Sequence, residues 1–155
     1  MSKICSLYYR VIYCLQKLSW VPSLLARISV GSIFVVSGWG KLHNFEKVIG
    51  FFTDLGIPFP AFNGHLVALT EFGGGFLILL GLLTRLASIP LTITMVVAII
   101  TAKTSDIHSV TDLLGLDEFI YIVFFVWFVI NGAGKASLDH FISRKCNRHI
   151  LAFHK

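Results

Sequence analysis

The sequence is short of charge. Only 14% of its 155 residues are Asp, Glu, Lys or Arg, whereas a soluble domain of this size carries about a quarter. With 55% hydrophobic residues and a mean hydropathy of +0.80, the chain reads as one compact membrane domain. Cysteine is scarce too. Cys5, Cys14 and Cys146 lie in the terminal segments and form no Cys-x-x-Cys pair. In a reducing compartment such thiols are structurally incidental, so the chain has no dithiol chemistry of its own. No histidine sits in the middle of an apolar run, which excludes paired axial ligation of a haem. His43, His65 and His108 fall on the outer side, and none has the i, i+4 spacing that holds two ligands on one helix, so no metal is expected. The Gly73-Gly74-Gly75 run lies inside an apolar span with no Lys-Ser/Thr after it, and hydrolase elbows are missing. Arg10 and Lys17 break the first apolar run and no small-residue cleavage site follows, so no cleavable signal peptide is expected. The net charge of +5 comes from basic residues gathered at the two ends rather than on one surface. That pattern points to membrane topology rather than to nucleic acid.

What is present is organised around Leu69 to Arg85. Glu71, Gly74, Ile78, Gly81 and Arg85 recur at spacings of three and four and share one helical stripe. A carboxylate in hydrocarbon is costly, so Glu71 must face protein or water. Glycines on the same stripe allow another helix to come close.

The expected fold is all-α: a four-helix transmembrane bundle with an N-terminal amphipathic surface helix. Residues 1–19 form the amphipathic segment, in which Ile4, Tyr8, Val11, Leu15 and Leu18 share one side while Lys3, Arg10 and Lys17 share another. Residues 20–142 form the membrane domain and residues 143–155 a basic tail. The first span runs from about Trp20 or Pro22 to Lys41, with Arg27, Gly31, Phe34, Gly38 and Lys41 on its internal face. Residues 42–64 are too greasy for a solvated loop and too broken for a span. A short helix and a Pro-rich turn, folded back over the bundle mouth, are expected there. The second span runs from about His65 to Leu83 and the third from about Leu86 to Ala102. The Thr84-Arg85 link makes them antiparallel neighbours. Residues 103–112 form a polar loop. A fourth span needs Leu113 to Ala133 to reach about 20 residues, which carries Asp117 and Glu118 into its first turns. Gly31, Gly38, Gly74, Gly81 and Gly132 are the expected close-packing positions. Basic residues concentrate in the N-terminal segment, at Arg85 and in the tail, which places both termini in the cytoplasm.

This topology brings Lys41, Glu71 and Glu118 together near the outer side. Glu71 and Glu118 each sit roughly 8 to 9 Å inside their helix starts. The three charges leave the layer near minus one, which favours a shared proton or a bound cationic or hydrogen-bonding ligand. The competing role is structural: Lys41 and Glu71 fix helix register and Glu118 caps the fourth helix. Arg27, Arg85 and Asp139 form a matching cluster on the inner side, with simple snorkelling as the alternative. Tyr121, Phe124, Phe125, Trp127 and Phe128 either line a flat pocket for a quinone ring or supply packing bulk.

Four motifs carry a resemblance over residues 23 to 142. They are Arg27-x-x-x-Gly31-x-x-Phe34-x-x-x-Gly38-x-x-Lys41, the turn Gly56-Ile57-Pro58-Phe59-Pro60, Glu71-Phe72-Gly73-Gly74-Gly75, and Gly132 to Asp139. The chain resembles the DoxX family of small bacterial membrane proteins. It departs from that family's Gly-Pro-Gly-Arg-Tyr at Ala133, Lys135 and Ala136. The resemblance implies a four-helix bundle in the bacterial inner membrane. It links the family to a thiosulfate:quinone oxidoreductase of sulfur-oxidising archaea, to complexes that handle thiol and oxidative stress, and to a eukaryotic cargo receptor. Two functions follow as expectations. One is a membrane subunit of a redox complex, with no intrinsic cofactor but a quinone pocket and a redox partner subunit. The other is a non-catalytic carrier or partner-binding module that forms a homo-oligomer. The lipid bilayer is a partner in both, and nucleic acid in neither.

Overall fold

The computed structural model describes residues 3–104 and 107–153. The side chains of Lys3, Ile4, Cys5, Val11, Cys146 and Arg148, and all of Ser105, Asp106 and Lys155, lie outside the described residues. The fold is all-α. An amphipathic helix α1 (Lys3–Lys17) leads into α2 (Trp20–His43), followed by a short α3 (Phe45–Asp54). Next come α4 (Pro60–Leu80) and α5 (Thr84–Ala98), and α5 continues into a π-helical turn, Ile99–Lys103. After that α6 (Val110–Leu114) and α7 (Asp117–Asn131) precede α8 (Leu138–Phe153). The basic C-terminal segment is therefore helical through Phe153.

Local chemistry sets these boundaries. Pro60 occupies the first turn of α4, where its missing N–H costs nothing. The Pro-rich turn is therefore the start of the helix, five residues earlier than the sequence places it. Gly81 closes α4 in the left-handed region at φ 69°, and its N–H returns to the carbonyl of Ile78. Leu83, also left-handed at φ 49°, then reverses the chain into α5. Arg85 consequently belongs to α5, not to the helix that carries Glu71.

α2 and α4 lie against each other along their length, α4 and α5 form an antiparallel hairpin, and α7 packs on α5. The contact between α2 and α4 depends on small residues. A Cβ on Gly31 would stand 2.9 Å from the Leu79 backbone nitrogen, and one on Gly38 would stand 2.7 Å from the Phe72 Cα. On the opposite helix a Cβ at Gly75 would meet the Val35 backbone nitrogen at 2.7 Å. A Cβ on Gly74 would meet the Leu91 side chain at 2.8 Å, which seats α4 on α5. The core between the helices contains Val30, Phe34, Ile78, Leu91, Met95, Phe125 and Phe128. The Phe34 ring meets those of Phe125 and Tyr121 edge to face, at 5.0 and 5.2 Å.

Among the described residues, three helices are long and apolar enough to cross a bilayer: Trp20–His43, Pro60–Leu80 and Thr84–Lys103. α7 is shorter than the expected fourth span. Its 15 residues rise about 22 Å, against about 30 Å of hydrocarbon. The shortfall has two causes. Ser109 and Asp112 form a capping box that starts the separate helix α6, and the chain breaks at Gly115 and at Leu116, which is extended. At the other end, Gly132 at φ 73° stops α7 before Ala133.

Candidate functional site

A cavity of about 560 Å³ opens at the end of the bundle away from the α4–α5 link, with walls from α2, α3, α4, α5 and α7. Its wall is apolar apart from polar groups on known elements: Ser37 and Lys41 of α2, Asn63 and Glu71 of α4, Thr94 of α5, Thr101 and Lys103 of the π turn, and Glu118 and Tyr121 of α7. Helix α3 and the turn after it supply Phe51, Phe52, Leu55 and Ile57. The Asn63 side chain lines the cavity and donates to the Pro58 carbonyl at 2.6 Å, which holds that turn against α4. The short helix and Pro-rich turn therefore form one wall of the cavity.

At the centre, Glu71 is 3% exposed. Its Oε2 accepts hydrogen bonds from the Ser37 hydroxyl at 2.8 Å and from the Lys41 ammonium, with which it forms an ion pair. The Lys41 ammonium also donates to the Ser37 Oγ at 2.9 Å, closing a triangle. Ser37 and Lys41 are one helical turn apart on α2, so a single face of that helix supplies both donors. Such a charge-assisted arrangement offsets much of the desolvation of the buried carboxylate. Among the described residues it is the one ion pair.

Glu118 lines the same cavity but belongs to neither the pair nor the triangle. The sequence places it five residues inside its helix. It is instead the second residue of α7, and so stands at the cavity mouth. Lys103 also lines the cavity, where the sequence reading had only a loop. π-helical turns concentrate at functional sites, and this one places Lys103 among the cavity walls. With Lys41 and Lys103 against Glu71 and Glu118, the cavity is formally neutral rather than near minus one. The missed residues Ser37 and Asn63 carry no signal in the sequence beyond lying one turn from Lys41 and next to the Pro-rich turn.

The three histidines are dispersed. His43 stacks on Trp39, His65 on Phe45, and His108 stands before α6. Of the aromatic residues on α7, Phe125 and Phe128 are fully buried core, and only Tyr121 reaches the cavity.

The cluster at the other end does not form as a set of mutual ion pairs. Arg27 is 2% exposed, and its Nη2 donates to the Ala136 carbonyl at 2.6 Å. One turn earlier, the Ser23 hydroxyl donates to the Ala133 carbonyl at 2.9 Å. Asp139 accepts from the backbone N–H groups of Leu83 at 2.8 Å and Thr84 at 3.3 Å, so it caps the start of α5. Exposed Arg85 donates to the Ile130 carbonyl at 3.2 Å at the end of α7. Gly81 and Gly132 fit around these side chains. A Cβ on Gly81 would run into the Arg27 guanidinium, and one on Gly132 would lie 3.1 Å from Arg85 Nε. Together these contacts tie residues 130–139 to α2 and to the α4–α5 link.

The DoxX family model matches residues 23–104, which include Arg27, the Lys41–Glu71 pair and the π turn. The chain belongs to the DoxX family. It is 32% identical over 135 residues to a Bacillus subtilis protein named "Putative oxidoreductase CatD", covering 85% of this chain and 96% of that one. Inner membrane protein YqjF of Escherichia coli is 31% identical over 134 residues, covering 84% of this chain and 99% of the relative. The Mycobacterium tuberculosis membrane protein Rv3486 is 32% identical over 140 residues, covering 80% and 83%. No solved structure matches. With three helices able to span a bilayer, this DoxX protein is a multi-pass integral membrane protein.

Proposed function

We propose that this DoxX protein is the membrane subunit of a redox complex and that its cavity binds a quinone. The observation that carries this reading is the placement of the buried Lys41–Glu71–Ser37 triangle at the wall of an otherwise apolar cavity. A quinone is neutral and matches the cavity's formal neutrality. Its carbonyl oxygens accept hydrogen bonds, and the Lys41 ammonium and Tyr121 hydroxyl can donate them. The cavity volume lies within the range of small-molecule sites. The oxidoreductase in the name of the Bacillus relative supports the redox assignment by analogy.

The reading takes α7 as a fourth crossing. Glu118 and Tyr121 at its start line the cavity, while Ile130 at its end holds Arg85 beside the α4–α5 link. α7 thus runs the height of the bundle despite its length. Four crossings put both termini on one side, which the distribution of basic residues makes the cytoplasm. The relatives named inner membrane proteins support a bacterial inner-membrane location.

Glu71→Gln tests the site. The amide keeps an acceptor for Ser37 but releases Lys41. Lys41 then loses the partner that positions it, and since hydrogen bonds to charged groups are worth about 1.5–3 kcal/mol, quinone affinity should fall by about tenfold or more while the bundle stays folded. Native mass spectrometry of the detergent-extracted wild type should show co-purified quinone, and the variant should lack it. Unfolding of Glu71→Gln would instead assign the pair to helix register. A non-catalytic carrier is the second reading, favoured by the engagement of Glu71 with both Lys41 and Ser37. Solute transport by a homo-oligomer in liposomes would establish it.

A further inference from the structure

We propose that the cavity is loaded sideways from the bilayer, through a gap between α4 and α5 framed by Leu66, Ile93 and Val97. Its ligand is then an amphiphile whose apolar tail lies in that gap. This rests on the quinone reading for the head group and adds the route and the tail.

α4 and α5 meet closely near their link, where Gly74 seats the Leu91 side chain. Toward the far end both helices contribute walls to the cavity instead. Leu66, Ile93 and Val97 line that cavity, yet they are 48%, 59% and 45% exposed. Side chains that line the cavity and still keep about half their area accessible mark a stretch of wall that is open rather than packed. Phe51 of α3, 53% exposed, does the same from above.

Depth decides what faces the gap. Ile93 and Val97 lie about 14 and 20 Å along α5 from its start at the link. Hydrocarbon is about 30 Å thick, so a helix that crosses it places both residues among acyl chains rather than water. The cavity is also chemically divided. Its ion pair and the Ser37 hydroxyl come from α2 and the inward face of α4, whereas on the other side Leu66, Ile93 and Val97 are apolar and the neighbouring Thr94 and Thr101 hydroxyls donate to the Pro90 and Val97 carbonyls of their own helix. A molecule with its head on Lys41 and its tail between α4 and α5 satisfies both halves. A small water-soluble solute satisfies only the first.

The test uses the full-length protein in nanodiscs and two probes: decylubiquinone, and the same dimethoxy-methyl benzoquinone ring without its tail. Ile93→Trp and Val97→Trp fill the gap, with Ile93→Phe and Val97→Phe as milder versions if tryptophan prevents folding. The expected result is a rise of about tenfold in Kd for decylubiquinone, equivalent to 1.4 kcal/mol, with the ring-only Kd changed less than about twofold. Equal weakening of both probes, or no change in either, would overturn the lateral route. If wild type binds neither probe, the quinone reading has failed, and the route is judged by native mass spectrometry. A tailed lipid retained by wild type and lost from Val97→Trp supports the gap. Equal retention, or none in either, rejects it.

Discussion

Arg27 and Glu71 are both buried charges, yet they occupy different environments. Glu71 has a cation and a hydroxyl beside it and lines a cavity. Arg27 reaches a backbone carbonyl and is enclosed by Gly81 and the 133–137 segment. The first arrangement presents chemistry to a ligand, whereas the second fastens one end of the bundle. Gly81→Ala tests the fastening. A Cβ there displaces the Arg27 guanidinium, comes within 2.7 Å of the Ser137 Cβ, and sits at φ 69°. A left-handed non-glycine residue alone costs about 1–2 kcal/mol, so with the displacement the detergent-solubilised protein should lose roughly 5 °C or more in apparent melting temperature. The sequence groups Arg27, Arg85 and Asp139 as one inner-side cluster by charge and topology, and Gly81 separately as a close-packing position. It could not show that backbone groups, rather than opposite charges, are their partners, since every residue carries the same backbone.

Helix boundaries set by proline and glycine were legible only in part, and α4 and α7 show the limits. Pro60 was read as a breaker although it starts a helix, and Gly115-Leu116 was read through although it ends one. The glycine faces were read more fully. Gly31, Gly38 and Gly74 each sit where a side chain would strike a neighbouring helix, while Gly75, one residue off the expected stripe, does the same from α4. Gly38→Ala should therefore destabilise by about 1–3 kcal/mol through separation of α2 and α4. Gly40, two residues on, has nothing within 4 Å of its would-be Cβ, so Gly40→Ala should be neutral or stabilising by up to about 1 kcal/mol. Thermal unfolding of the two variants side by side measures the contrast. The α6 cap gives a pH signature. The His108 N–H, foremost, and the Ser109 hydroxyl hold the Asp112 carboxyl below the usual carboxylate range. A lowered folded-state pKa means that its contribution is present at neutral pH and is lost as pH falls through that value. Amide-exchange protection factors across Val110–Leu114, taken relative to the intrinsic rate at each pH, should therefore fall in acid, and Asp112→Asn should remove that dependence.

Across the whole molecule, the start of α2, the α4–α5 link and the residues before α8 meet at one end, while the α3 turn and the starts of α4 and α7 gather at the other. Composition and hydrophobic periodicity carried this plan, since neither depends on which side chains touch. A pocket beside Lys41, Glu71 and Glu118 was legible from the charges and the topology, whereas the place of Lys103 in its wall was not, because the π turn that continues α5 leaves no mark in the hydrophobic pattern. Single cysteines in a background with Cys5, Cys14 and Cys146 all replaced by Ser test the crossings. A membrane-impermeant maleimide should label Thr111→Cys from one side of sealed vesicles and Arg144→Cys only from the other. Labelling of both from the same side would remove α7 as a crossing.

The bonds from Ser23 and Arg27 to Ala133 and Ala136 bridge 110 and 109 residues of chain. A ribosome delivers α2 long before those acceptors exist, so the Ser23 hydroxyl and Arg27 Nη2 lack these partners until the later segment follows. Assembly at this end of the bundle is thus completed only once residues 133–136 have been made, and a nascent chain that stalls before them leaves α2 without these two partners.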